Sequence, residues 1–302
     1  MKTIPFMLSM VICQFGFSIL KAQEAPVNIS VDTLSKQVYM LTGQGGNIGI
    51  YVGEDYVFMI DDQFDRLSDK IKASIATLSD KPIAFLLNTH MHGDHSGGNA
   101  KFNSRETVLV AHDNVRDRIG SNQKTKLEAQ EITEEEYERM LPEVTFSNDI
   151  TFFDGDEKIL AFHVHNAHTD GDAMVYFAEN NVLHMGDTFF AGRYPYIDLG
   201  SGGSVNGLIE AQKKALMLIN ADTKIIPGHG RPSTRFELEA FLAMLQDIKA
   251  KVQTQIDAGK TLEEVMADKV LTAEYDASFG GGFINPERLR EIFYNSLKGN
   301  GQ

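Results

Sequence analysis

Short apolar runs separated by glycine-rich breaks dominate the first third of the chain. Residues 38–41, 48–52 and 56–60 each read as strands, interrupted at Gly45-Gly46 and Gly53-Glu54-Asp55, so this stretch predicts a meander. From 65 to 78 the apolar positions instead recur at helical spacing. Pro82 then opens Ile83-Ala84-Phe85-Leu86-Leu87, a short buried strand, and a strand over 107–111 and a helix near 114–119 follow. After an acidic stretch at about 121–140 the pattern recurs, with strands at 150–153, 158–164, 173–177 and 182–185. A helix over 205–219, a strand over 224–226 and long helical patterns over 235–256 and 286–297 complete the chain. Strands and helices thus occur in two similar halves without a linker between them, and the simplest architecture is one layered α/β domain over 23–302.

The first residues follow a different pattern. Met1-Lys2 precedes an apolar segment from about Ile4 to Leu20, and Lys21-Ala22-Gln23 leads into a polar start. This is the layout of a secretory signal peptide over 1–22, too short for an anchor helix, and it predicts export to a periplasm or the medium with no stable membrane anchor. Cys13 is the only cysteine, so a mature chain would have no disulfide, no thiol nucleophile and no thiolate for a metal. The formal charge of −14 becomes −16 without Lys2 and Lys21, and such a surface disfavours nucleic acid as a partner. Glu128, Glu131, Glu134, Glu135, Glu136 and Glu138 concentrate in the acidic stretch, which reads as a solvated helical insertion.

Against this background one constellation stands out. His90, His92, Asp94 and His95 lie within HMHGDH, directly after a buried strand. Alternate positions of an extended chain point the same way, so His90 and His92 can reach one ion, and the Gly93 turn re-aims Asp94 and His95 towards a second point. Imidazole and carboxylate are the ligands zinc accepts when thiolate is absent. Further along, His168 in AHTDGD, Asp187 in MGDT and His229 in PGHG each follow a strand and sit near glycine.

HMHGDH, AHTDGD, MGDT and PGHG, in this order and at these separations, resemble the metallo-β-lactamase fold superfamily over about 38–244. The resemblance implies a four-layer αββα sandwich with metals at one sheet edge. It implies two zinc ions per chain, with iron or manganese as substitutes. His90, His92 and His168 would hold the first ion, Asp94, His95 and His229 the second, with Asp187 bridging both. Asp61 would orient a ligand imidazole from behind, and Asp94 would hold the nucleophilic hydroxide. The implied activity is hydrolysis of a cyclic amide or ester in a small molecule, β-lactamase-like first. β-Lactamases of this fold place cysteine or serine where this chain has Asp187, whereas a bridging Asp typifies glyoxalase II-like thioesterases and lactonases, which are the alternative. A metal-binding partner protein without catalysis would be favoured by a missing ligand, and all the ligand positions are filled.

Other residues receive blander readings. His163 and His165 alternate before His168 without a following Asp-His, and His112 and His184 read as packing or capping groups. Arg193, Tyr194 and Tyr196 could roof a pocket after Asp187. Gly200-Ser201-Gly202-Gly203 lacks the strand and lysine of a phosphate loop and reads as the start of the next helix.

Overall fold

The computed structural model describes residues 27–299, so the segment expected to be a signal peptide, with Cys13, lies outside the described residues. Seven strands, β1 (Ser30–Thr33), β2 (Val38–Thr42), β3 (Ile48–Val52), β4 (Val57–Ile60), β5 (Ile83–Leu87), β6 (Val108–His112) and β7 (Val144–Phe146), form one sheet in chain order. Neighbours pair antiparallel from β1 to β4 and parallel from β4 to β7. The second sheet has six strands, also in chain order: β8 (Asp149–Asp154), β9 (Glu157–His163), β10 (Ala173–Phe177), β11 (Val182–His184), β12 (Lys224–Ile226) and β13 (Ser233–Thr234). In it β11 and β12 pair parallel and the other neighbours antiparallel.

The two-residue period of the strands decides the layering. Met40, Tyr51, Phe58 and Ile60 of the first sheet meet Ala161, Val175, Phe177 and Ile226 of the second in a core between the sheets. Their alternate neighbours Leu41, Ile48, Ile50 and Met59 face outward and pack on Leu67, Ile71 and Ile75 at the helix Ser68–Ala76. On the opposite outer face, the helices Val205–Leu218, Arg235–Asp257 and Pro286–Gly299 cover the second sheet through Leu208, Phe241, Leu245 and Phe293. With both faces covered, β3 and β4 are almost wholly buried, which is why they read as continuous apolar runs. The result is the expected αββα sandwich.

The helix expected near 114–119 runs from Asp113 to Glu128, into the acidic stretch. Val115 and Ile119 are its buried residues, so no apolar period marks the remainder, whose side chains are exposed or half-buried. The acidic run then forms a second helix, Glu134–Met140, with a capping box between Thr133 and Glu136 and no buried residue. The helices Leu262–Ala267 and Ala273–Phe279 and the short strands β1, β7 and β13 carry too few apolar positions to announce themselves in sequence.

All of the chemistry-bearing segments leave the sheets at one edge. Asp61 follows β4, His90 follows β5, His168 lies between β9 and β10, Asp187 follows β11, and His229 follows β12. Two side chains of the long helix gauge what holds that edge. Phe241 is fully buried against Phe189, whereas Thr234 merely caps the helix by accepting from the Glu237 amide. Phe241→Ala is expected to lower unfolding free energy by about 3–5 kcal/mol and Thr234→Ala by about 1 kcal/mol. Denaturant unfolding of the two variants checks the order.

Candidate metal centre

The seven predicted side chains converge in two groups. His90, His92, His168 and Asp187 each offer a ligand atom within 4.8 Å of the others, and so do Asp94, His95 and His229. In the first group His168 Nε2 and His92 Nδ1 are 2.9 Å apart. In the second, His229 Nε2 lies 3.3 Å from Asp94 Oδ2 and 3.4 Å from His95 Nε2. Asp187 stands between them. Its Oδ1 is 3.1 Å from His95 Nε2 and 3.4 Å from His229 Nε2, and its Oδ2 is 3.6 Å from His168 Nε2 and 3.9 Å from His90 Nε2.

The outer ring nitrogens are fixed by other partners, which sets the face each ring presents inward. His95 Nδ1 donates to Asp61 Oδ2 at 2.8 Å. The same carboxylate accepts from the Thr89 amide (2.7 Å) and hydroxyl (2.8 Å), and the hydroxyl oxygen lies 3.0 Å from His90 Nδ1. Asp61 therefore orients two imidazoles, one directly and one through Thr89. His168 Nδ1 donates to the Tyr196 carbonyl at 2.8 Å, and His92 Nε2 faces Asp198 Oδ2 at 3.0 Å. The His229 ring is stacked on Phe190, with centroids 5.6 Å apart and planes at 7°. Asp172, in the AHTDGD loop, accepts from the His168 and Thr169 amides and the Thr169 hydroxyl, and burial pushes it up to about 7.

The donor atoms fit a cation. His90 Nε2 is buried without a hydrogen bond, an arrangement costly for a polar atom unless something else binds it. Burial holds His90 well below the usual imidazole range and takes His168 down to about 4, leaving neutral lone pairs. Burial also opposes charge on His95 and His229, but Asp187 and Asp61 lift His95 well above its ordinary value, and Asp187 and Asp94 lift His229 to about 9. Burial would raise Asp187, and the facing His95 and His229 hold it well below the carboxylate range instead. Positive charge is thus favoured at the place where a divalent ion would sit.

A cavity of about 640 Å³ opens on these groups, lined by His92, Asp94, Asp187 and His229 together with Phe190, Arg193, Tyr196 and Phe283. Arg193 and Tyr196 do border the pocket, and the Arg193 guanidinium makes no hydrogen bond or ion pair among the described residues. Tyr194 also reaches it, but its hydroxyl is spent on Asp276 Oδ1 at 2.8 Å, a packing role. His112 and His163 lie outside both groups, stacked with centroids 3.8 Å apart, and His184 is buried with Nε2 near the Asn47 carbonyl. Gly203 precedes Ser204, whose hydroxyl caps the helix Val205–Leu218, so the glycine-rich stretch does lead into a helix. Thr89, Asp172 and Asp198 were missed by sequence reasoning. The first two sit inside or beside the motifs, while Asp198 has no local signal at all.

Asp61→Asn, which removes an acceptor behind two imidazoles, is expected to weaken metal binding about 10–100-fold, as read by chelator competition. In the metal-free protein the raised values of His95 and His229 mean that both carry protons at neutral pH, and a bound ion must displace them. Affinity should therefore rise between pH 6 and pH 8, with proton release measurable by calorimetry in buffers of different ionisation heat; a flat profile would contradict this assignment.

Comparison with known proteins bears on the fold and the family. Among solved structures, a metallo-beta-lactamase from Pontibacter korlensis is 18% identical at a TM-score of 0.60, covering 73% of this chain and 100% of that one. DIM-1 metallo-beta-lactamase is 16% identical at 0.59, covering 73% and 99%, and metallo-beta-lactamase IND-7 is 17% identical at 0.59, covering 72% and 98%. At these identities the likeness establishes the shared fold. The sequence profile of the metallo-beta-lactamase superfamily matches residues 41–230. Because that match takes in more than half of the sequence, from within β2 to the glycine behind His229, the chain belongs to the metallo-beta-lactamase superfamily and is a metal-dependent hydrolase.

Proposed function

We propose that this chain is a two-zinc hydrolase that cleaves a cyclic amide or ester in a small molecule. The position of Asp187 carries the reading: one carboxylate, buried between two ligand groups, directs Oδ1 to one and Oδ2 to the other. His90, His92 and His168 would hold one ion, Asp94, His95 and His229 the other, and Asp187 both. When bound, such a pair supplies hydroxide near neutral pH and polarises the carbonyl under attack.

The protein's own groups supply the remainder. Asp94 is about a third exposed at the pocket floor, where Oδ2 can accept the proton of the nucleophile and hold its lone pair towards the substrate. Phe190, Tyr196 and the exposed Phe283 offer apolar walls that exclude water around a ring, and Arg193, without an ion pair among the described residues, presents a cation to an anionic substituent. A bridging carboxylate in place of cysteine or serine favours a lactone or thioester as the second reading. The apolar leader supports export, and the −14 charge supports a small molecule over nucleic acid.

Purified protein is expected to contain about two zinc ions per chain, and a fully folded, active, metal-free protein would sink the reading. Rates on nitrocefin, acyl-homoserine lactones and S-lactoylglutathione then separate lactam from lactone and thioester. Asp187→Cys is expected to shift the ratio among these substrates, since Asp187 lies between the two ligand groups.

A further inference from the structure

A second groove, of about 770 Å³, borders the catalytic cavity. The two share Phe64 and Gly93, so the groove begins at the loop that carries Asp94 and His95. It runs beneath the helix Asp113–Glu128 and the turn before Glu134–Met140. Its floor is apolar, from Phe64, Met91, Ile119, Ile132 and Met140. Ser96 of its lining is spent on the Met91 and His92 carbonyls, but other polar groups there are not consumed by the fold. The Gln123 amide oxygen is buried without a donor. Lys126 and Arg66 line the groove without an ion pair among the described residues, Arg66 lying over the Phe64 ring at 4.8 Å from its centroid, and its one acid, Asp65, already faces Lys101 at 3.7 Å. None of the glutamates at 128–138 lines it.

Two cations without an ion pair among the described residues, over an apolar floor, are notable in a chain with 42 acidic and 28 basic residues. An apolar floor takes methylenes or a ring, Gln123 takes a hydrogen-bond donor, and Lys126 with Arg66 takes an anion. The catalytic cavity alone is large enough for a compact ring. We propose that this groove is a second substrate subsite, which accepts an apolar arm ending in a carboxylate while the scissile carbonyl sits at the metal groups. The inference rests on the hydrolase reading for the position of the reacting bond. On this view the helical pair over 113–140, with its mostly solvated surface, is the wall that selects the arm.

The test uses three probes on the metal-loaded full chain: butanoyl-homoserine lactone, dodecanoyl-homoserine lactone and the latter's analogue with a terminal carboxylate. kcat/KM is expected to rise about tenfold from the short to the long arm, and about threefold to tenfold more with the carboxylate, mostly through KM. In Lys126→Glu the advantage of the carboxylate should vanish. In Ile132→Trp, which fills the groove, the advantage of the long arm should vanish as well. Both sites are outside the fully buried core, and thermal unfolding confirms that the variants fold. Equal kcat/KM for the three probes, or ratios unmoved in both variants, would overturn the subsite. Independently, dodecanedioic acid titrated calorimetrically into chelator-treated protein should bind, and bind more weakly to both variants. Binding of the acid without turnover of any lactone would leave the subsite standing and remove the lactone as substrate instead; no binding to the wild-type chain would overturn the subsite.

Discussion

A fully buried carboxylate at the end of β4 ties the site to the fold. Asp61 accepts from the Thr89 amide and hydroxyl and from His95 Nδ1, so the loops after β4 and β5 are locked to each other before any ion is considered. A carboxylate without such partners would be too costly to bury. The chain reaches this position at a local cost, because Asp61 and Gln63 both adopt left-handed backbone with φ of 60° and 59°. Each of the three consecutive side chains then holds a different segment. Asp62 accepts from the Gly98 amide at 2.7 Å, and Gln63 donates to the Gly46 carbonyl at 2.6 Å.

Close approach is the second requirement. A Cβ at Gly46 would run into the His95 ring, and one at Gly228 would run into Asp187 Oδ1. Both glycines let backbone come within touching distance of a candidate ligand, which is why the loops bearing them can converge from different sheets. The sandwich provides the rest. Its buried faces fix strand register, and the strand ends deliver Asp61, His90, Asp187 and His229 to one edge without long excursions.

Charge and access follow from that arrangement. The two candidate carboxylates are balanced by imidazoles whose protonation tracks their neighbours: burial lowers His90 and His168, while Asp187 raises His95 and His229. The cavity walls come largely from a different source, the segment after Asp187 and the loop at Phe283, so the residues lining the pocket are supplied separately from most of the candidate metal ligands.

The sequence by itself determined the layered α/β class, most strands of both sheets, and the metal-type side chains. Those signals are local: a two-residue or 3.6-residue period, and ligands packed into HMHGDH or placed beside a glycine after a strand. It did not reveal the full extent of the helix Asp113–Glu128, whose outer turns bury nothing, nor the short strands at the sheet margins. The partners behind the ligands were decided by tertiary structure. Asp198 meets His92 across 106 positions, and the Tyr196 carbonyl meets His168 across 28. No local pattern encodes such pairs, because an imidazole's outer nitrogen is satisfied by whichever loop the packed sheets bring beside it.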